Sequence, residues 1–179
     1  MAKVKGEIQN EHIISNTKYS DSFVCANCPM RLYNKEDDKI VFGIGNIITD
    51  TILILPSYDV KAKIGYNTLL NIIQDCYKNI TGSDILENYY ITRYIKCMNK
   101  TSFELYDEAI KSCYIYLYNE IKRIKPRKII SFDKNYTNYL YNGWNIILVK
   151  DVISPGVMYY DNDKLKDIFM KQFKEAIFC

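Results

Sequence analysis

The chain of 179 residues has no long apolar run. Its longest stretches, such as Ile52-Leu53-Ile54-Leu55, fall far short of the roughly 20 residues that a membrane-spanning helix requires. The opening MAKVKGEIQNEHIISN lacks the apolar centre of a secretory signal, so an intracellular, cytoplasmic protein without a membrane partner is expected. Glycine and proline are sparse, at seven and four, which excludes collagen and argues against low-complexity disorder. No strong charge of one sign is present. With 24 basic and 21 acidic residues the net charge of +3 neither demands nor opposes a nucleic-acid partner. There is a single histidine, His12, in the polar N-terminal stretch. The 48% hydrophobic content suits one globular domain with a sizeable core. The seventeen tyrosines, with abundant Lys, Ile and Asn, look like the imprint of an AT-rich genome and carry no mechanistic weight.

Cysteine is what the chain does have. Six cysteines without a secretory signal are better read as reduced thiols or metal ligands than as three disulfides. Cys25 and Cys28 form a C-x2-C pair; 68 residues separate Cys28 from Cys97, and 15 separate Cys97 from Cys113. Cys76 and the terminal Cys179 are left over, Cys76 as a core residue of a helix. Four thiolates in this arrangement can close around a tetrahedral zinc or an iron-sulfur cluster, and the chemistry alone does not separate the two.

Residues 1–22 are polar without sustained periodicity and read as an arm or irregular lead-in, followed by a single domain over 23–179. Beyond the charged turn at 35–39, β-rich runs alternate with segments of helical period. Residues 51–55 read as a buried strand. Tyr66, Leu69, Leu70, Ile73, Tyr77 and Ile80 share a helix face, with Gly82 placed to stop it. A strand at 89–92 follows, then a capping box at Thr101 and Glu104 opens a helix whose Leu105, Ala109, Cys113, Leu117, Ile121 and Ile124 align, ended by Pro126. Strands at 128–132 and 145–149 flank a short helix at 135–141, and a last helix covers 164–177. Strands alternating with helices of this length need crossovers, which predicts an α/β fold: a three-layer α/β/α domain around a mostly parallel sheet of about four strands. Ligands in such folds sit at the carboxyl ends of the strands, here 56–60, 93–96, 133–134 and 150–156.

The residues around the cysteines carry a resemblance. Val41-Phe42-Gly43-Ile44-Gly45-Asn46 follows the C-x2-C pair, the run 91–97 reads ITRYIKC, Cys113 comes next, and Ile121-x-x-Ile124-x-Pro126-x-x-Ile129-Ile130 closes the series. This order resembles the family 4 uracil-DNA glycosylases, over roughly residues 23–175. Those proteins carry C-x2-C, V-x-G-x-G-N, G-E-x-P-G, I-T-N-x-x-K-C, a further Cys, I-x-P-x-x-I-I and H-P-S/T in the same sequence. The resemblance implies a uracil-DNA glycosylase-like fold and a 4Fe-4S cluster on Cys25, Cys28, Cys97 and Cys113, with zinc as the alternative. The cluster is expected to be structural.

The groups that a glycosylase uses are missing at the matching positions. Such an enzyme extrudes the nucleotide, reads the base edge and stabilises charge as the glycosidic bond breaks. The G-E-x-P-G motif falls on Leu55-Pro56-Ser57-Tyr58-Asp59, and aligning Pro56 with the family proline puts apolar Ile54 where the acid belongs. The I-T-N amide is Arg93, a cation with no acceptor. Ser154-Pro155-Gly156 stands for H-P-S/T. Asp59 is the one candidate for a displaced catalytic carboxylate, and Tyr58 for the stacking aromatic; a plain loop carboxylate and a packed ring are the alternatives. Arg93, Lys96 and Ser154 are the candidate nucleic-acid contacts, Arg93 at a strand end being placed for phosphate or stacking, with a surface salt bridge as its bland counterpart. Lys122, Arg123, Lys125, Arg127 and Lys128 form a basic run that fits a helix C-terminus as well as a DNA contact. Lys3, Lys5, Lys61, Lys63 and Lys100 could join Lys96 on one electropositive face.

The expected function is therefore an iron-sulfur protein of this superfamily without uracil excision, a pseudoenzyme acting as a DNA-binding or protein-interaction module with a replication or repair partner. Two alternatives stay open: an active divergent DNA glycosylase using Asp59, and a regulatory or accessory subunit without nucleic-acid affinity.

Overall fold

An unbroken run of β-branched and apolar side chains, such as Thr51-Ile52-Leu53-Ile54-Leu55, can be satisfied only where both faces of a strand are covered. The computed structural model describes residues 14–18, 23–30, 39–97, 106–134, 137, 140 and 148–178. In chain order the strands are β1 (Ile14–Lys18), β2 (Lys39–Val41), β3 (Ile44–Gly45), β4 (Thr51–Leu55), β5 (Tyr58–Asp59), β6 (Ile64–Gly65), β7 (Tyr90–Arg93), β8 (Lys128–Ser131) and β9 (Leu148–Asp151). The helices are α1 (Phe23–Ala26), α2 (Tyr66–Thr81), α3 (Ile85–Asn88), α4 (Tyr106–Ile124) and α5 (Asp163–Phe178), with a short 3-10 turn at Pro155–Tyr159.

The central sheet has the order β3-β7-β4-β8-β9, with β3 antiparallel and the other four parallel. Strand β4 sits in the middle and all five of its residues are buried. Its side chains alternate between two cores. Leu53 and Leu55, with Ile91 and Ile130, face α2, α3 and α5. Ile52 and Ile54, with Tyr90 and Ile129, face α4. This is the three-layer α/β/α arrangement that the alternation of elements predicts.

The element ends follow local chemistry. Helix α2 stops at Gly82, which adopts φ 76° and returns its N–H to the Lys78 carbonyl at 2.8 Å. Helix α4 closes through Lys125, whose N–H reaches the Ile121 carbonyl, and Pro126 prevents continuation. Gly45, at φ 99°, lies so close to β7 that a Cβ there would stand 2.3 Å from the Tyr89 carbonyl oxygen.

Three differences from the sequence expectation have physical reasons. Ile14–Lys18, inside the stretch read as a lead-in, is a strand paired with β2, and β3 adds an antiparallel edge to the expected four parallel strands. Such short strands carry too few residues to show a period. The last parallel strand lies at Leu148–Asp151, since its register is set by pairing Lys128 with Leu148 and Ser131 with Asp151 rather than by the apolar run before it. Residues 145–147, most of the 135–141 helix, and the capping box at Thr101 and Glu104 lie outside the described residues; Lys134, Thr137 and Leu140 are helical. Among the described residues no helix is long and apolar enough to cross a membrane.

The parallel strands run β7-β4-β8-β9, so the chain leaves β4 toward one side and later returns to the other. The reversal falls between β4 and β8, and a crevice at their carboxyl ends is the expected ligand position. Truncating Leu53, fully buried in β4, to alanine is expected to cost about 2–5 kcal/mol. Leu148→Ala, on the edge strand and 48% exposed, stays within about 0.5 kcal/mol. Urea titrations of both variants check this: equal midpoints would contradict the layer assignment.

Candidate functional site

Four cysteines converge from three parts of the chain. Cys25 lies in α1, Cys28 just after it, Cys97 beyond the end of β7 and Cys113 in α4, which packs against α1. All four are buried and none forms a disulfide. Each of Cys97, Cys28 and Cys25 acts electrostatically on Cys113, and Cys25 acts on Cys28. Burial pushes the Cys113 thiol up to about 12, against which a hydrogen bond from the Lys96 backbone works. Burial likewise raises Cys28, opposed by the Met30 backbone and the Ser112 hydroxyl. Tyr116, one turn beyond Cys113, brings its hydroxyl to 3.7 Å from Cys25 Sγ.

The donor set fits a four-thiolate group: three sulfurs lie within electrostatic reach of Cys113, Cys25 lies within reach of Cys28, and Cys113 and Cys28 each have hydrogen-bond donors to sulfur. Among the described residues no three His, Cys, Asp or Glu side chains gather closely enough to hold a single ion. Cys76 is separate, buried on the inner face of α2 in the opposite core.

Beside the cysteines lies a buried charge cluster. Glu120, on the cysteine-bearing face of α4, accepts hydrogen bonds from Gly43 N at 2.8 Å, the Tyr90 hydroxyl at 2.8 Å and the Thr92 hydroxyl at 3.0 Å. Lys96 Nζ pairs with Glu120 Oε2 and donates to Thr92 Oγ1 at 2.6 Å. Burial pulls the Lys96 ammonium below the ordinary lysine range, and the Glu120 carboxylate opposes that by favouring the charged form. Arg93 stacks its guanidinium 4.7 Å above the Tyr66 ring.

Arg93 and Lys96, the nucleic-acid candidates at the end of β7, are both buried, at 6% and 1% exposure. Glu120 was not anticipated, although a signal existed, since it falls within the stripe formed by Cys113, Leu117 and Ile121.

A second feature occupies the crevice between the ends of β4 and β8. A cleft of about 410 Å³ is lined by Tyr58, Asp59, Tyr106, Phe132, Asp133 and Ser154 among others, with Lys61 and Lys134 on it as well. Asp59, 7% exposed, is engaged on both oxygens. Oδ1 accepts from Ala62 N at 2.8 Å and the Tyr160 hydroxyl at 2.9 Å, and Oδ2 accepts from Ser154 Oγ at 2.5 Å. The Ser154 oxygen in turn accepts from Gly156 N at 3.2 Å. Burial first, and then the Asp59 carboxylate, push the Tyr160 hydroxyl above its ordinary range, so it stays a donor. Lys61 Nζ rests 4.3 Å over the Tyr160 ring. Asp59 is thus the brace that joins the β5–β6 hairpin to the 154–160 turn.

Of the sequence candidates, Asp59 and Ser154 meet here, joined to each other, and Tyr58 lines the same cleft. Tyr160 completes the brace and carried no sequence signal. Pro126, Arg127 and Lys128 lead into the amino end of β8, so the basic run lies at the opposite end of the sheet from the cleft. Within it, Lys128 Nζ is engaged by the Ala176 carbonyl at 3.0 Å. Lys3, Lys5 and Lys100 lie outside the described residues. The chain matches no protein-family model and no curated protein.

A Cβ on Gly156 would stand 2.1 Å from Asp59 Oδ2, so Gly156→Ala must displace the brace. It is expected to destabilise the protein by about 1–3 kcal/mol, and Ser154→Ala by a similar amount through the lost donor. In Asp59→Ala/Gly156→Ala the clashing oxygens are gone, so the two effects should sum to less than their separate values in a double-mutant cycle; strict additivity would contradict the contact.

Proposed function

We propose that the protein is an iron-sulfur member of the uracil-DNA glycosylase superfamily that has kept the cluster and the scaffold, has lost uracil excision, and binds DNA along the cleft at the carboxyl ends of β4 and β8. The observation that carries this reading is the convergence of Cys25, Cys28, Cys97 and Cys113 in one buried electrostatic neighbourhood. Four irons spread their thiolates more widely than a single zinc does, whose bonds of about 2.3 Å bring tetrahedral sulfurs to roughly 3.8 Å of one another. When bound the cluster ties α1, the end of β7 and α4 together, and what it supplies is stability, as ligand bonds present only in the folded chain.

The loss of excision is supported at each position where the family keeps a working group. Ile54, at the alternative position for the acid, is fully buried in β4. Arg93, at the amide position, lies over Tyr66. Ser154, at the histidine position, spends its hydroxyl proton on Asp59. Asp59 accepts three hydrogen bonds on its two oxygens, which hold it in the wall of the cleft and away from a substrate water. The ring of Tyr58, with Lys61 and Lys134, offers a stacking surface and cations suited to a nucleic-acid strand.

Single-turnover assays with iron-replete protein in excess over uracil- or hypoxanthine-containing DNA are expected to give no abasic product. Product that disappears in Asp59→Ala would restore a divergent glycosylase. DNA affinity should fall as salt rises, and Lys61→Ala/Lys134→Ala should lower the slope of log K against log salt by roughly 1–2. No affinity at low salt would refute the DNA reading and favour an accessory subunit. Cys97→Ser should lose iron and melt at lower temperature; a folded variant with full iron content contradicts the ligand assignment.

A further inference from the structure

Helix α2 begins without the groups that ordinarily satisfy a helix start. Its N-cap is Gly65, at φ −92° and ψ 176°, no side chain caps the first turn, and that turn holds no acidic residue. The first N–H groups of a helix have no partner within it, and with the helix dipole they present positive potential to whatever lies in front. A Cβ built on Gly65 meets nothing within 4 Å, and Asn67 is exposed, so the space before the helix is open. A second positive group stands at the same end. Arg93, at the carboxyl end of β7, holds its guanidinium 4.7 Å from the ring centroid of Tyr66, the first residue of α2. A helical side chain leans toward the N-terminus of its helix, so a cation over the Tyr66 ring lies beside the first turn. Arg93 is 6% exposed, cannot shed its proton, and among the described residues has no hydrogen bond or ion pair. Glu120 is taken by Lys96 on the α4 face, and Asp59, in the hairpin that leads into α2, is turned to Ala62, Ser154 and Tyr160. Burial holds the Tyr66 phenol above its ordinary range, so it stays neutral. A buried cation beside an uncapped helix start is costly, and an anion between them relieves both.

We infer that the first turn of α2 and the Arg93 guanidinium together form a binding site for a phosphate monoester group, either free or at the end of a nucleic-acid strand. Helix N–H groups and the arginine fork both suit phosphate oxygens. Burial selects among phosphates. An internal phosphodiester carries one charge and a sugar on either side, which keeps it away from a cation that is 6% exposed. A monoester has three free oxygens and, with a second pKa of about 6, approaches two charges at neutral pH. The site lies at the carboxyl end of the parallel strands, and it depends neither on the cluster nor on the DNA reading of the cleft.

Calorimetric titration of inorganic phosphate into the full chain, at low and constant ionic strength, tests the site. The wild type should bind phosphate saturably, and Arg93→Met, which keeps a long apolar stem on Tyr66 and removes the charge, should weaken binding by about tenfold or more. Gly65 supplies a second pair of variants at a backbone conformation open to any residue. Gly65→Ala should keep the wild-type affinity. Gly65→Asp, which sets a fixed carboxylate before the same N–H groups, should lose phosphate binding while melting no lower than Gly65→Ala. If Arg93→Met does not accumulate folded, the Gly65 pair decides, since equal phosphate affinity in the two overturns the site. Two oligonucleotides of one sequence, one with a terminal phosphate and one ending in hydroxyls, separate the sources. Tighter binding of the phosphorylated strand, lost in Gly65→Asp, identifies a strand end; equal binding of both, with inorganic phosphate still bound, identifies a free phosphate monoester. A folded wild type that shows no saturable phosphate binding, or an Arg93→Met protein that binds phosphate as the wild type does, overturns the inference and leaves the cluster and DNA readings intact.

Discussion

Glu120 carries a carboxylate into a mainly apolar layer, and several segments are ordered by satisfying it. The approach to β3 offers Gly43 N, β7 offers the Tyr90 and Thr92 hydroxyls, and the segment before Cys97 offers the Lys96 ammonium. A carboxylate so deep is tolerable only when its oxygens are fully used, and removing one partner of such a pair typically costs 3–5 kcal/mol because the other charge is stranded. The constraint has a geometric consequence. Once Lys96 is fixed against α4, Cys97 is held near Cys113, and the packing of α1 on α4 brings Cys25 and Cys28 to the same place.

The protein therefore uses charge differently at two places on one strand system. On the α4 face of the sheet, Lys96 and Glu120 cancel as a buried pair, while Arg93 lies over the Tyr66 ring of α2. In the cleft, Asp59 is surrounded by neutral donors from Ala62, Ser154 and Tyr160 and acts as a tie between loops. A carboxylate that braces a wall cannot also swing toward a substrate without releasing that wall.

Much of this was legible in the sequence. The buried run at β4, the helix ending at Gly82 and the stripe of α4 ending before Pro126 each rest on a strong local cause, a period of 2 or 3.6 or a residue with restricted backbone. The resemblance singled out the four cysteines and, separately, Asp59 and Ser154, and the fold brings the members of each set together. The pairing of β1 with β2 was not, since a strand of a few polar residues is defined by its partner and not by its own pattern. Burial of Arg93 and Lys96 was hidden for a related reason. A cation at a strand end reads as surface unless its anion is known, and the anion for Lys96 stands 24 residues away on a helix. Tyr160 is 101 residues from Asp59 and carries no local mark of its role.

The claim on which the account turns is that the four converging cysteines hold an iron-sulfur cluster. Metal and acid-labile sulfide analysis of anaerobically purified full-length protein tests it most directly. About four irons and four sulfides per chain, with the visible absorption of a 4Fe-4S centre, is the result the account predicts. One zinc per chain without sulfide, or a folded chain that carries no metal after anaerobic iron and sulfide reconstitution, would contradict it.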